Sequence, residues 1–162
     1  MIAVVVVRDG QLPSGGDEAV AECHGRAVLI GSGVTAAAQS LAGVASHVIA
    51  VETGPFQPGA YAALLAPLLT NEPAVLLPGS PDGRDLAPRL AALLHRPLFA
   101  GAIKVSSTAI ELTRMGSTEI HEVTPGPAFV ATLQPGVRGV TAEPGAAMPS
   151  VERVAEIGRA HV

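Results

Sequence analysis

Small residues lie between a predicted strand and a predicted helix in a pattern that can bind a dinucleotide. The run from Gly31 to Ala36 reads GSGVTA and matches the G-x-G-x-x-A fingerprint. Glu52 follows about 20 residues later, at the end of the next predicted strand, where an acid would bind a ribose hydroxyl. However, the fingerprint normally follows the first strand of a fold, and here another strand precedes it. Any tight strand-to-helix crossover also needs small residues, so a purely structural role stays open.

A second segment, from Ser80 to Asp85, has the composition of an anion-binding turn. It follows a predicted strand, and the N-terminus of the next helix would present unpaired N–H groups with roughly half a positive charge. Proline has no N–H and is best tolerated in the first turn of a helix, so we expect Pro88 to lie in that turn. This predicts Asp85 as the cap and Leu86 as the first helical residue. The candidate cofactor-binding residues are Ser80, Asp82, Gly83, Arg84 and Asp85.

Two interpretations of this segment remain open. A phosphate bound here would meet the carboxylates of Asp82 and Asp85, which weakens the case for a nucleotide. In the other interpretation, Arg84 pairs with a carboxylate and fixes the loop. We prefer the second, structural interpretation.

The remaining reactive side chains predict neither catalytic residues nor a metal site. Cys23 and His24 are adjacent, so their side chains point apart, and no third group is suggested. The 5 histidines are dispersed singly, without the paired spacing or the cysteine companions of a zinc site.

Composition favours one domain with a substantial core and a partner surface. Hydrophobic residues make up 48% of the 162 residues and charged residues only 15%. A net charge of -4 with 10 scattered Lys and Arg argues against nucleic acid as a partner. The apolar runs are shorter than the ~20 residues that span a bilayer, so we expect no membrane insertion. The single Cys23 fits a cytoplasmic location.

Strand and helix patterns alternate through the first half of the chain. We predict strands over Ile2 to Val7, Ala27 to Ile30, His47 to Val51 and Ala74 to Leu77, and helices over Glu18 to Cys23, Val34 to Leu41 and Tyr61 to Leu69. A further helix should place Leu86, Leu90, Leu93 and Leu94 on the sheet. This alternation predicts an α/β fold with three layers and a mostly parallel sheet, of the nucleotide-alpha-hydrolase-like or Rossmann-like type.

In the second half of the chain, short strand patterns follow one another with no helix pattern between them. These patterns cover Leu98 to Val105, Ala109 to Arg114, Glu119 to Val123 and Ala128 to Leu133. We expect them to be added antiparallel at one edge of the sheet. The segment from Ser150 to Ile157, with Val151, Val154 and Ile157 on one side, is compatible with a helix or a strand.

Longer segments of the sequence resemble those of a known protein family. VLLPGSPDGRDLAPRLAALLHRPLFAGA closely resembles a segment of the electron transfer flavoprotein alpha subunit family, in which a strand and a polar turn precede GRDLAPRLAARL. LAGVASHVIAVE upstream, the Tyr-containing helix and FVATLQPGVRG downstream are similar in order to the same family. The similarity covers roughly Ile2 to Gly139, and Gly83 to Leu94 is its specific part.

The resemblance implies the N-terminal α/β domain of an alpha-type subunit over residues 1–141. Residues 142–162 would be a tail or the start of a linker to an FAD domain, whose motifs have no counterpart after Gly139. Family members pair alpha and beta subunits and carry electrons from dehydrogenases to a quinone or other acceptor through FAD. The second domain holds that FAD, so we expect this chain alone to bind none and to be an electron carrier subunit that is not catalytic by itself.

The resemblance also bears on the turn at Ser80 to Asp85. In the family the related loop of the beta subunit binds AMP, whereas the alpha segment is mostly architectural, so residues 82–85 are expected to shape a subunit contact. A different class of function stays open. It is a stand-alone protein that binds AMP, ATP or NAD through Gly31 to Ala36 with Glu52, or through Ser80 to Asp85.

Overall fold

The structure is a computed structural model that describes residues 1–116, 118–142 and 145–154. Helices and strands alternate up to residue 94, and only strands follow among the described residues. The strands are β1 (Ile2–Val7), β2 (Arg26–Gly31), β3 (His47–Glu52), β4 (Ala74–Pro78), β5 (Leu98–Val105), β6 (Ile110–Arg114), β7 (Glu119–Val123), β8 (Phe129–Leu133) and β9 (Ser150–Arg153). The helices are α1 (Gly16–Glu22), α2 (Val34–Ser40), α3 (Pro58–Leu69) and α4 (Pro81–Leu94).

One sheet contains all of these strands in the order β7-β6-β5-β8-β4-β1-β2-β3-β9. Neighbours from β5 to β9 in this order pair in parallel, whereas β6 pairs antiparallel with both β5 and β7. The predicted α/β class with a mostly parallel sheet and antiparallel strands in the second half is confirmed.

Helices cover the two faces of the sheet and divide the core. In β1 the residues Ala3, Val5 and Val7 pack in the cluster that includes α1 and α2. Alternate residues, Ile2 and Val6 among them, pack on the other face with α3 and α4. Because successive side chains of a strand point to opposite faces, an uninterrupted apolar run is what this central strand requires.

The prediction for the second half of the chain was partly wrong. β6 and β7 are antiparallel at one edge as expected, but β8 lies inside the sheet, between β4 and β5, and runs parallel to both. All residues of β8 are buried, which is possible only for a strand covered on both faces. Of the two options for the last segment, Ser150–Arg153 forms a strand that pairs with β3, while Ile157 lies outside the described residues.

The prediction for the start of α4 was also wrong. Ser80, not Asp85, is the cap, and its Oγ accepts a hydrogen bond from the backbone N–H of Gly83 at 3.2 Å. Pro81 occupies the first helical position, where a missing N–H costs nothing. Pro88 lies inside the helix instead, because burial of the apolar face outweighs one lost backbone hydrogen bond.

The prediction that four leucines of α4 pack on the sheet was also partly wrong. Leu86 and Leu90 are fully buried together with Ala87 and Ala91, but Leu93 is 50% exposed. The helix packs against α3 and the sheet through these four residues and the partly buried Leu94.

An ion pair connects elements at the amino-terminal side of the sheet. Arg26, in β2, donates from one guanidinium nitrogen to Glu72 Oε2 at 3.0 Å and from another to Glu72 Oε1. These hydrogen bonds from Arg26 lower the pKa of the Glu72 carboxyl below its usual value of 4.5. The pair therefore ties the segment after α3 to the edge at which β2 begins.

We predict that the close approach of the start of α4 to the end of β4 makes any side chain at position 83 destabilising. A Cβ at Gly83 would lie 1.9 Å from the carbonyl oxygen of Pro78, whereas one at Gly59 in α3 would meet only Arg89 Nη1 at 3.5 Å. Helix propensity alone would make Gly→Ala favourable by about 1 kcal/mol at either site. We therefore expect Gly83→Ala to lower the free energy of unfolding by about 1–3 kcal/mol in urea denaturation. Gly59→Ala, the matched control, should raise it slightly, and equal effects at both sites would contradict the close approach.

Acid should remove the contribution of Glu72. A carboxylate whose pKa is lowered by folding adds stability above its unfolded-state pKa and loses it as the pH falls through the folded-state pKa. The difference in urea midpoint between wild type and Glu72→Gln should therefore be constant above the usual value of 4.5 and shrink below it. A difference that persisted unchanged to about pH 2 would show that the charge of Glu72 is not involved.

Candidate functional site

The candidate residues meet at the carboxyl ends of the parallel strands. From β1 the sheet extends to β2 and β3 on one side and to β4 on the other, so the order in which strands are added reverses at β1. In open α/β sheets ligands bind in the crevice outside such a point. Arg8 follows β1 here, Ser32 follows β2, Glu52 ends β3 and Ser80 follows β4.

Glu52 occupies the N-terminus of α2. Its carboxylate accepts hydrogen bonds from the backbone N–H of Gly33 at 2.9 and 3.1 Å and from that of Val34 at 3.1 Å. These are the donors that a pyrophosphate would use in a dinucleotide site, and the positive end of the helix favours an anion there. In this protein the anion is the chain's own carboxylate.

The two glycines of the fingerprint are required by close backbone contacts. A Cβ at Gly31 would lie 1.9 Å from the oxygen of Val7, and one at Gly33 would lie 2.3 Å from the nitrogen of Gly10. Both glycines have positive φ, at 139° and 75°. The backbone of the loop after β1 donates from Gly10 N to Ser32 O at 2.9 Å, so this loop covers the turn.

These contacts test whether the turn fits a dinucleotide such as FAD. A pyrophosphate needs the N–H groups of Gly33 and Val34, which Glu52 already engages, and it would meet that carboxylate at short range. The backbone of Gly10 also packs directly against Gly33, so the loop after β1 covers this side of the turn. The residues at this turn therefore do not fit the group.

The second candidate segment is joined to β1 by an ion pair. Asp82 Oδ2 accepts from Arg8 Nε at 2.7 Å and Asp82 Oδ1 accepts from Arg8 Nη2 at 2.9 Å. The guanidinium of Arg8 also lies over the ring of Phe56, with 5.5 Å between its carbon and the ring centroid. The hydrogen bond to Asp82 raises the pKa of Arg8. This bidentate pair lies across the crevice between β1 and β4.

The predicted pairing of Arg84 with a carboxylate was wrong. Within the described residues the carboxylate of this segment pairs with Arg8, and Arg84 makes neither an ion pair nor a side-chain hydrogen bond. Arg84 and Asp85 are exposed on α4, whereas Ser80 and Gly83 are buried at its start. Arg8 was missed because it is 74 residues from Asp82, and only the adjacency of β1 and β4 brings the two together.

A cavity of about 350 Å³ lies beside the ion pair. Arg8, Ser32 and Phe56 are among its lining residues, together with Tyr61. The Tyr61 hydroxyl donates to the carbonyl of Gly54 at 2.6 Å, and its ring meets that of Phe56 edge to face at 5.1 Å. The wall of this cavity is thus held by contacts within the chain.

Two carboxylates of α1 organise the segment after β8, which sequence analysis did not anticipate. Glu18, only 8% exposed, accepts from the backbone N–H groups of Gly136 at 2.9 Å and Arg138 at 2.8 Å. Glu22 accepts from Arg138 Nε at 3.2 Å and from the N–H of Val105 at 3.2 Å. The i, i+4 spacing of the two acids was visible in the sequence, but their backbone partners were not.

The single cysteine is buried and the structure gives it no reactive setting. Burial raises the pKa of the Cys23 thiol to about 12, so the thiolate that would act as nucleophile is not formed near neutral pH. In the described ranges no group of three or more His, Cys, Asp or Glu residues is placed to bind a metal ion. The helices described here are also too short or too polar to cross a bilayer.

We predict that Glu52 stabilises the protein by occupying the start of α2. Glu52→Gln removes the charge and one of the acceptor oxygens, and should lower the free energy of unfolding by about 1 kcal/mol in urea denaturation. Glu122→Gln is a matched control, because Glu122 is exposed on β7 and also loses one charge. That variant should stay within about 0.5 kcal/mol of wild type. Equal stability of Glu52→Gln and wild type would contradict the role of this carboxylate.

Comparison with known proteins supplies the family. The model of the electron transfer flavoprotein domain matches residues 15–157, which is well over half of the chain. No curated protein sequence matches the chain. The matched range includes both candidate turns and the elements from α1 to β9. The chain therefore belongs to the electron transfer flavoprotein domain family.

Proposed function

We propose that this chain is the N-terminal scaffold domain of an alpha-type electron transfer flavoprotein subunit. In this proposal it pairs with a beta-type subunit, and the assembled complex carries electrons from a dehydrogenase to an acceptor in the cytoplasm. The observation that carries the proposal is that both candidate segments are engaged in contacts with carboxylates of the chain itself. Glu52 engages the N–H groups of α2, and Asp82 engages Arg8 across the crevice.

FAD is part of the proposed complex, where it would supply the electron-carrying group. The turn at Gly31 to Ala36 does not fit it, so the proposal assigns no step of electron transfer to residues of this chain. Their role is to fold, to hold the carboxyl edge of the sheet in one arrangement and to present a docking surface. Residues 1–141 would form the scaffold, and residues 142–162 would lead, by way of β9, towards the domain that holds FAD.

Exposed apolar side chains support a partner. Met115 is 72% exposed at the end of β6, Ile120 is 66% exposed on the edge strand β7, and Leu93 is 50% exposed on α4. An edge strand leaves backbone N–H and C=O groups unpaired on one side, and large apolar side chains beside such groups are typical of surfaces that another chain covers.

Co-expression tests the partnership. The tagged chain is produced with an electron transfer flavoprotein beta-type subunit, and in parallel with an unrelated α/β domain of similar size as the control. We expect the chain and the beta-type subunit to elute together in equal amounts from a gel-filtration column, and the control to elute separately. Elution of the chain alone, at the position of a 16.3 kDa species, in both preparations would contradict the proposal.

The cavity beside Arg8 favours one alternative, a stand-alone protein that binds AMP, ATP or NAD. Calorimetric titration of the isolated chain with AMP, ATP, NAD and FAD separates the two functions. We expect no saturable binding of any of them. Micromolar binding of any of them would favour the alternative, and Arg8→Gln should weaken that binding if the ligand lies in the cavity beside Arg8.

A further inference from the structure

Arg84, at the start of α4, is exposed, and no contact within the described part of the chain explains it. Gly83 is required by the carbonyl of Pro78, Asp82 is bound by Arg8, and Leu86 is buried in the core. Arg84 has no ion pair and no side-chain hydrogen bond among the residues that the structure describes. A guanidinium without a partner inside the chain is available to an anion from outside it.

Arg84 lies at a pocket of about 500 Å³ between α4, β5 and the end of β8. The helix contributes Arg84, Ala87 and Pro88 to the lining, β5 contributes Leu98 and Ala100, and Gln134 follows β8. This volume is within the range of small-molecule sites, which are mostly apolar with a few polar groups. The pocket is separate from the cavity beside Arg8, since no residue lines both.

Two side chains that line the pocket, Arg84 and Gln134, have N–H groups that can donate hydrogen bonds. Thr113 Oγ1 donates to Gln134 Oε1 at 3.2 Å, which leaves the amide nitrogen of Gln134 to donate in its turn. The N–H of Gly101 is satisfied by Thr132 Oγ1 at 3.0 Å. Among the described residues that line the pocket there is no Asp or Glu. An anionic group is therefore complementary to the site, and an apolar group is complementary to the rest of its wall.

We infer that this pocket binds a small organic monoanion, in which an apolar body packs on Ala87, Pro88 and Leu98 and a carboxylate or sulfonate group binds Arg84 and Gln134. A planar guanidinium can bind both oxygens of a carboxylate at once, which gives direction as well as affinity. A nucleotide fits less well, because its phosphate would meet one cation only and the polar edge of its base would meet apolar side chains. This inference is independent of the proposed partnership.

The test is a fluorescence titration of the whole chain, without a partner, with anilinonaphthalene sulfonate, which joins apolar rings to one negative charge. We expect saturable binding of one molecule, with changes in the amide NMR signals of Gly79 and Gly101. Arg84→Gln should weaken the affinity about tenfold, because a charge-assisted hydrogen bond is lost. Arg89→Gln, on the same helix but outside the pocket lining, should stay within about twofold of wild type.

Two further measurements separate binding in the pocket from binding elsewhere on the protein. The neutral analogue phenylnaphthylamine should bind wild type and Arg84→Gln with equal affinity, since it has no charge for Arg84. Ala100→Leu, which adds volume at an exposed position of β5, should abolish binding of both probes while the circular dichroism melting curve is retained. The inference is overturned by the absence of saturable binding, by equal effects of Arg84→Gln and Arg89→Gln, or by NMR changes centred on Leu93, Met115 and Ile120 instead.

Because the probe is measured on the chain alone, failure here leaves the partnership with a beta-type subunit standing. Conversely, separate elution of the two subunits would not affect the assignment of the pocket. The two experiments therefore fail independently.

Discussion

Burial of β1 on both faces is the constraint on which the rest of the molecule depends. A strand with every side chain buried must have neighbours on both sides and helices on both faces. β2 and β4 provide the neighbours, and the chain therefore extends in both directions from β1. The same arrangement brings the loops after β1, β2 and β4 together, so the crevice between Arg8 and Asp82 is a direct consequence of where β1 lies.

That crevice is one in which many α/β proteins bind an anionic ligand, yet here the chain satisfies most of the donors itself. The N–H groups at the start of α2 face Glu52, the guanidinium of Arg8 faces Asp82, and Ser80 caps α4. Backbone donors and helix dipoles need a negative partner whether or not a ligand is present. An internal carboxylate meets that need permanently, which is consistent with the scaffold role that we propose.

Several elements could be predicted because their cause is local. The apolar, mostly β-branched run from Ile2 to Val7 predicts a buried strand, and GSGVTA predicts a tight strand-to-helix turn, whatever the rest of the chain does. The site was only half predictable. Glu52 and Asp82 were identified as candidate residues, but the role of each depends on a partner far away in the chain. Helix capping was misjudged for a related reason, since Pro88 is tolerated only because Leu86, Leu90 and their neighbours are buried.

The sequence by itself determined the class of the fold, the alternation of strands and helices and the family resemblance. Each of these rests on hydrophobic periodicity, turn residues or motifs, which are local features of the chain. Tertiary structure alone decided that β8 enters the middle of the sheet, that Arg8 meets Asp82, and that Arg84 faces a pocket without a partner. Each of these depends on which strands become neighbours. That choice follows from the total burial of apolar surface across the whole chain, which no single segment of the sequence contains.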